Sequence, residues 1–185
     1  MIGWMGMGAD PDQGLLSFRR LSDAIGTSHW FMGMLRDSRL VAKRLSYICS
    51  GSRWTSDRLS ETPQAVSWLD DDADLQIRPR EVLAGEVASL LRRRLLGMRS
   101  ENYEQVATEA ISALLAIRSR EQLRSAMADT LDGVDPLRGA AALSQVTEVV
   151  LDGAMRVAHA VAIAQTQGPQ ALEKGVDEAG HLLAA

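Results

Sequence analysis

Apolar residues recur along this chain at three- and four-residue intervals, and the stretches they mark are punctuated by helix start and stop signals. Asp10-Pro11-Asp12-Gln13 opens the first stretch with an N-cap carboxylate, a proline at the first helical position and Gln13 placed to close a capping box. Leu15, Phe18, Leu21, Ser22 and Ile25 form its stripe, and Gly26 is a natural terminator. Thr27 or Ser28 caps a short segment carrying Trp30, Phe31, Met34 and Leu35. Asp37 or Ser38 restarts a helix with Val41, Leu45 and Ile48 on one face, which stops at Gly51. Thr62-Pro63 opens another short helix with Val66, Trp68 and Leu69, and the acidic run from Asp70 to Asp74 reads as an exposed loop.

The second half is built of longer periods. Arg78-Pro79 starts a helix bearing Val82, Leu83, Val87, Leu90, Leu91 and Leu95, with Gly97 just past its end. Ser100 caps a segment that runs to Gly133 on the stripe Tyr103, Val106, Ala110, Leu114, Ile117, Leu123, Met127 and Leu131, with a bend expected near Arg118-Ser119-Arg120. Asp135-Pro136 caps the last long helix, whose inward positions are Leu143, Val146, Val150, Ala154, Val157 and Val161, and Gly168-Pro169 ends it. No alternating strand pattern with turn chemistry appears. The expected fold is all-α: several short helices followed by an antiparallel pair of long helices, a helical bundle. Residues 10–75 form the short-helix connector region, 79–167 the long-helix bundle and 168–185 a weakly structured tail, together one compact helical unit.

Composition narrows the classes of function. The 185 residues are long enough for one domain with a core, and 46% of them are hydrophobic, which excludes a disordered chain. Aromatic content is only 4%, in keeping with helices rather than strands. The single Cys49 excludes an intrachain disulfide and fits a reducing compartment. Met1 to Gly8 lacks the basic and apolar regions of a signal peptide, and no apolar run approaches the roughly 20 residues of a membrane span. The expected location is the cytoplasm, without a membrane partner. A net charge of −4 argues against nucleic acid as a partner. Of the basic residues all but Lys43 and Lys174 are arginine, a bias that suits a GC-rich genome better than a phosphate-binding surface.

Candidate chemistry is sparse. His29, His159 and His181 are far apart and have no partner ligand at metal-binding spacing. Cys49 lies on an apolar helix face and reads as a buried structural thiol. Gly51-Ser52 followed by Asp72-Ala73-Asp74 has the letters of a polymerase-β-type nucleotidyltransferase, in which a Gly-Ser turn holds a triphosphate and paired carboxylates hold Mg²⁺. The spacing is about twice the usual and the intervening segment reads as helical, so solvated acidic residues are the expectation. Arg92, Arg93 and Arg94, with Arg99, form a dense basic cluster, expected as a solvated helix C-terminus or a contact to an acidic partner. Trp4, Trp30, Trp54 and Trp68 are expected as core residues, with docking of another domain as the alternative.

The ordered series of segments carries a resemblance. Phe18-Arg19-Arg20-Leu21-Ser22-Asp23-Ala24-Ile25-Gly26, Leu35-Arg36-Asp37-Ser38, Arg44-Leu45, Gly51-Ser52-Arg53 and Pro63 to Leu69 follow one another, then Arg78-Pro79-Arg80 with Glu86-Val87, Ile117-Arg118 through Leu123-Arg124 to Asp129 and Gly133, and Ala142-Leu143-Ser144 to Leu151 and Ala154. Together they resemble the middle helical region of glutamine synthetase adenylyltransferase (glutamate–ammonia-ligase adenylyltransferase), in its actinobacterial form, over about residues 10–165. That resemblance implies a bifunctional enzyme with two nucleotidyltransferase halves flanking these helices. One half attaches AMP from ATP to a tyrosine of glutamine synthetase and the other removes it by phosphorolysis. Both use ATP or its product chemistry with Mg²⁺, and the PII signalling protein and glutamine tune the balance.

The family's second Gly-Ser and Asp-x-Asp signature follows the helices seen here, and this chain ends at Ala185 before such a segment. No catalytic, cofactor-binding or metal residue is therefore carried over to any position. The expected role is a non-catalytic helical portion or fragment, whose partners are the catalytic domains of the same enzyme, glutamine synthetase and PII. The reading from another class is an independent helical interaction or regulatory module that uses Arg92–Arg94 and the tryptophan-rich front. A DNA-binding helix-turn-helix comes third.

Overall fold

The computed structural model describes residues 1–26, 28–133 and 135–167. Thr27 as a cap, the Gly168-Pro169 stop, the tail 168–185 and His181 lie outside the described residues. Among those described every element is helical: α1 (Ile2–Met5), α2 (Pro11–Ile25), α3 (His29–Asp37), α4 (Arg39–Gly51), α5 (Arg53–Glu61), a 3-10 helix (Pro63–Asp70), α6 (Asp72–Leu75), α7 (Arg80–Leu95), α8 (Tyr103–Asp132) and α9 (Pro136–Gln167). The all-α reading is borne out. Contacts divide the chain into two units, one of residues 1–77 and 122–140, the other of 78–121 and 141–185.

The first unit is arranged around α4, on which α1, α2, α3, α5 and the 3-10 helix all pack. Its core holds Leu21, Phe31, Val41, Leu45, Ile48, Leu59, Val66 and Leu69, together with Leu123 and Met127 from the second half of α8. Short helices of this kind depend on caps: Asp10 and Ser38 act as the sequence suggests, Ser28 and Thr62 make no side-chain cap bond, and Ser52 caps α5, a helix the sequence pattern did not mark. Asp10 accepts the Gln13 N–H at 3.0 Å, Ser38 the Val41 N–H and Ser52 the Thr55 N–H. The expected capping box does not close: the Gln13 amide donates to Ser17 Oγ instead, and the Asp10 N–H donates to the Ser50 carbonyl. Gly26 does adopt the positive φ (66°) that ends α2.

The buried face of α2 follows the expected stripe at Phe18, Leu21 and Ile25 but departs from it at its start. Leu15 is exposed, while Gly14, Ser17 and Leu21 face inward. A Cβ on Gly14 would lie 3.0 Å from Ser50 Cβ and 3.3 Å from Ser50 Cα. Small residues thus set the approach of α2 to α4, a geometry that a count of large apolar side chains does not register. The acidic run also differs from expectation. Pro63–Asp70 winds as a 3-10 helix, where side chains three apart eclipse and bury Val66 and Leu69 together. Asp71 then caps the one-turn α6, with Asp72 and Asp74 in its first turn and Leu75 buried beneath. The aspartates are exposed as expected, but on a helical turn and not a loop.

In the second unit α7, the first part of α8 and α9 share a core of Leu83, Val87, Leu91, Ala110, Leu114, Ile117, Val146, Val150 and Val157. Val82, expected on the inward stripe of α7, is 51% exposed. Helix α8 starts at Tyr103, the Asn102 carbonyl accepting the Val106 N–H, rather than at Ser100. It runs as one helix to Asp132, closed by Gly133 at φ 61°. Asp135 caps α9 through the Leu137 N–H at 3.1 Å. Leu114, well before the end of α8, packs against Gly153, a similar distance after the start of α9; equal spacing from a short turn makes α8 and α9 antiparallel there. No described helix is long and apolar enough to cross a membrane.

Candidate functional site

The Gly51-Ser52 and Asp72-Asp74 pair was the one nucleotide-site candidate, and both halves are committed elsewhere. Gly51 closes α4 and Ser52 is the N-cap of α5, its hydroxyl accepting from Thr55 N–H and from Thr55 Oγ1 at 2.8 Å. Asp72 forms an ion pair with Arg44, and Arg44 also donates to the Leu69 carbonyl at 2.9 Å. A triphosphate and Mg²⁺ need free hydroxyl and carboxylate oxygens held on rigid backbone. These residues do not fit them.

The remaining sequence candidates fall apart in the same way. Cys49 is 1% exposed; burial pushes its thiol up to about 12, with a hydrogen bond involving Ser56 pulling the other way. It is the buried structural thiol expected, not a nucleophile. His29 and His159 are both exposed and lie in different units, and no group of three metal-ligating side chains occurs among the described residues. Arg92, Arg93 and Arg94 are exposed at the end of α7, where Arg94 pairs with Glu109 at 3.0 Å.

The tryptophans are not core residues. Trp30 and Trp54 are 45% and 48% exposed, and Trp4 and Trp68 are half-buried. Three carry a guanidinium over the ring face: Arg39 over Trp4, Arg58 over Trp54 and, at 4.4 Å, the buried Arg124 over Trp68. A chain rich in arginine but poor in lysine stacks planar cations on three of its four tryptophans.

One polar centre escaped the sequence reading. In the second unit the Glu121 side chain is fully buried, and its Oε1 accepts from Arg78 Nε at 3.0 Å, Arg78 Nη2 at 2.5 Å and Arg120 Nε at 2.9 Å. Glu86 accepts both Arg120 terminal nitrogens, at 2.9 and 2.8 Å, and Arg78 Nη2 at 2.9 Å. Two arginines and two glutamates thus close a ring of bidentate contacts joining α7, α8 and the residues before α7. The signal was present in the register: Glu121 stands four residues after Ile117 and seven after Leu114, on the buried stripe itself. It was passed over because a glutamate is ordinarily read as solvated. The ring holds helices together.

A second feature of that unit is a cleft of about 40 Å³ lined by Arg80, Val87, Val149, Asp152, Gly153 and Arg156. Arg80 reaches Glu148 at 3.7 Å and Asp152 at 3.9 Å. Arg156 Nε is buried without a hydrogen-bond acceptor among the described residues.

With no reaction centre assembled among the described residues, relatives decide the family. A family model described as glutamate-ammonia ligase adenylyltransferase matches residues 42–182. A bifunctional glutamine synthetase adenylyltransferase/adenylyl-removing enzyme of Leifsonia xyli subsp. xyli is 42% identical over 155 residues, 84% of this chain and 14% of that protein. The chain belongs to the glutamate-ammonia ligase adenylyltransferase family. Enzymes of the same description from Bifidobacterium longum subsp. infantis and Streptomyces coelicolor are each 34% identical, over 88% and 84% of this chain. The chain spans 14–16% of the length of these three relatives. No solved structure matches it. The match to the adenylyltransferase family includes the whole arginine–glutamate ring and both long helices.

Proposed function

We propose that this chain is a non-catalytic helical portion of an enzyme that regulates glutamine synthetase, by ATP-dependent adenylylation and phosphorolytic deadenylylation of a tyrosine. The observation that carries the reading is the mismatch of coverage: 84% of this chain aligns with only 14% of the Leifsonia enzyme. The commitment of Ser52 to a helix cap and of Asp72 to Arg44 supports it. ATP and Mg²⁺ belong to parts of the enzyme other than these residues, and the helices serve as a scaffold that packs on those parts. Glutamine synthetase and the PII signalling protein are partners of the whole enzyme on this reading, and its location is the cytoplasm.

The test is enzymatic. The purified chain, incubated with glutamine synthetase, ATP and Mg²⁺, is expected to incorporate no AMP above a control lacking the chain. Sustained turnover by the chain alone would overturn the scaffold assignment.

A further inference from the structure

Helix α9 is apolar on more of its circumference than its own unit covers. Between Ala140 and Ala164 its Asp, Glu, Lys and Arg residues are limited to Glu148, Asp152 and Arg156. One face, with Val146, Val149, Val157, Ala160 and Ala164, lies in the core. On another, Leu151 and Met155 are 59% and 70% exposed. Residues one turn apart abut on a helix surface, so these two side chains form a continuous ridge, which exposed Ala158 and Ala162 prolong at the same spacing. A helix apolar over this much of its surface is normally buried on all those sides.

The ridge borders the cleft at Arg80, Asp152 and Arg156. Arg80 is shared at long range between Glu148 and Asp152. Arg156 makes no ion pair among the described residues, and its Nε lacks an acceptor. A donor withdrawn from water without an acceptor is costly, and the usual resolution is a partner that completes it. Exposed Leu and Met on the helix that also carries the acceptorless Arg156 Nε have the composition of an interface, where apolar anchors accompany a charge-assisted contact.

The length of the relatives indicates what covers it. Some six-sevenths of the Leifsonia enzyme lies outside the aligned stretch, which covers 14% of it. We infer that the α9 face built on Leu151, Met155 and Arg156 is where the rest of the adenylyltransferase polypeptide docks, through apolar side chains flanking a carboxylate that pairs with Arg156. This rests on the reading of the chain as a portion of that longer enzyme.

The experiment places this chain in the Leifsonia enzyme in exchange for the stretch it matches. A benzophenone amino acid then replaces Leu151 or Met155 in the exchanged enzyme, or the exposed Ser112 of α8 as a control. Irradiation is expected to give intramolecular cross-links to segments outside the exchanged stretch, about fivefold or more above the Ser112 yield, as befits an interface centre. Cross-links to a second copy or to glutamine synthetase, or a yield at the control level, overturn the assignment. Adenylylation by the exchanged enzyme is measured alongside. Loss of activity relative to the parent sinks the underlying reading, whereas an active enzyme with control-level cross-links sinks this one alone. A second measurement needs no exchange. In the 185-residue chain by itself, Leu151→Glu with Met155→Glu is expected to lower binding of an apolar fluorescent dye about twofold or more without changing the melting temperature. Unchanged dye binding would mean this face is not the uncovered one.

Discussion

The two units bury polar groups by opposite means. In the first, apart from the Arg124 guanidinium held against Trp68, they are hydroxyls satisfied locally: Ser46 Oγ donates to the Ala42 carbonyl at 2.7 Å, Ser50 Oγ to Ser46 at 2.8 Å, and Ser56 Oγ to Ser52 at 2.8 Å. Each hydroxyl uses a carbonyl one turn back, so it costs no charge desolvation and lets helices approach closely. In the second unit the buried group is the Glu121 carboxylate, held by arginines 43 and one residue away in sequence. Small hydroxyls suit short helices that must cross tightly. A charged ring suits long helices, where it fixes which residues of α7 and α8 stand opposite one another in a core otherwise made of interchangeable Leu, Val and Ala.

The largest way to break this contrast is to strip the ring of its cations. Arg78→Ala with Arg120→Ala removes all three ring donors from buried Glu121 and is expected to cost about 3–5 kcal/mol, measured by urea denaturation, because a buried charge loses its main compensation. Adding Glu121→Leu to Arg78→Met and Arg120→Met is expected to recover most of that loss, since an apolar set of similar volume needs no compensation. A double arginine variant as stable as the parent would mean that the ring adds nothing to the second unit.

Helix approach sharpens the contrast at a smaller scale. Gly14 faces Ser50 Cβ and Cα, atoms that cannot move without moving α4. Gly153 also has close neighbours, Val87 Cγ1 at 2.9 Å and Leu114 Cδ2 at 3.0 Å, but these are methyl ends of flexible side chains. Gly14→Ala is therefore expected to destabilise by about 1–3 kcal/mol. Gly153→Ala is expected to stay within about 1 kcal/mol of the parent, as the gain in helix propensity offsets a small repacking. Equal costs in thermal melts would remove the distinction between backbone-limited and side-chain-limited packing.

These particulars also explain what could be read from the chain beforehand. Stripe and cap signals located most of the helices, because a 3.6-residue period needs no knowledge of partners. They could not divide α8, whose stripe passes without a break from Leu114 and Ile117 in one core to Leu123 and Met127 in the other. Nor could they place the start of the inward face of α2, where Gly14 and Ser17 are buried and Leu15 is not. Trp4, Trp54 and Glu121 were misjudged for one shared reason: residue type was taken as a guide to burial, while each has arginine partners.

The smallest expected effect tests the neutral side of the comparison. Cys49 is buried in the first unit with its thiol raised from 9.0 to about 12. Because the folded state holds this proton more tightly than the unfolded state, Cys49 contributes fully below about pH 9. Its contribution is lost as pH rises from there toward 12. Between pH 9 and 10 the loss should be about 1 kcal/mol, seen as a falling denaturation midpoint. Cys49→Ala should flatten this alkaline slope, though it lowers the midpoint at every pH by opening a small cavity. Alkaline slopes that match in the two proteins would mean that the thiol ionises without opening the fold. The first unit would then tolerate a buried anion, and the division drawn between the units would fail at the one place where a single proton tests it.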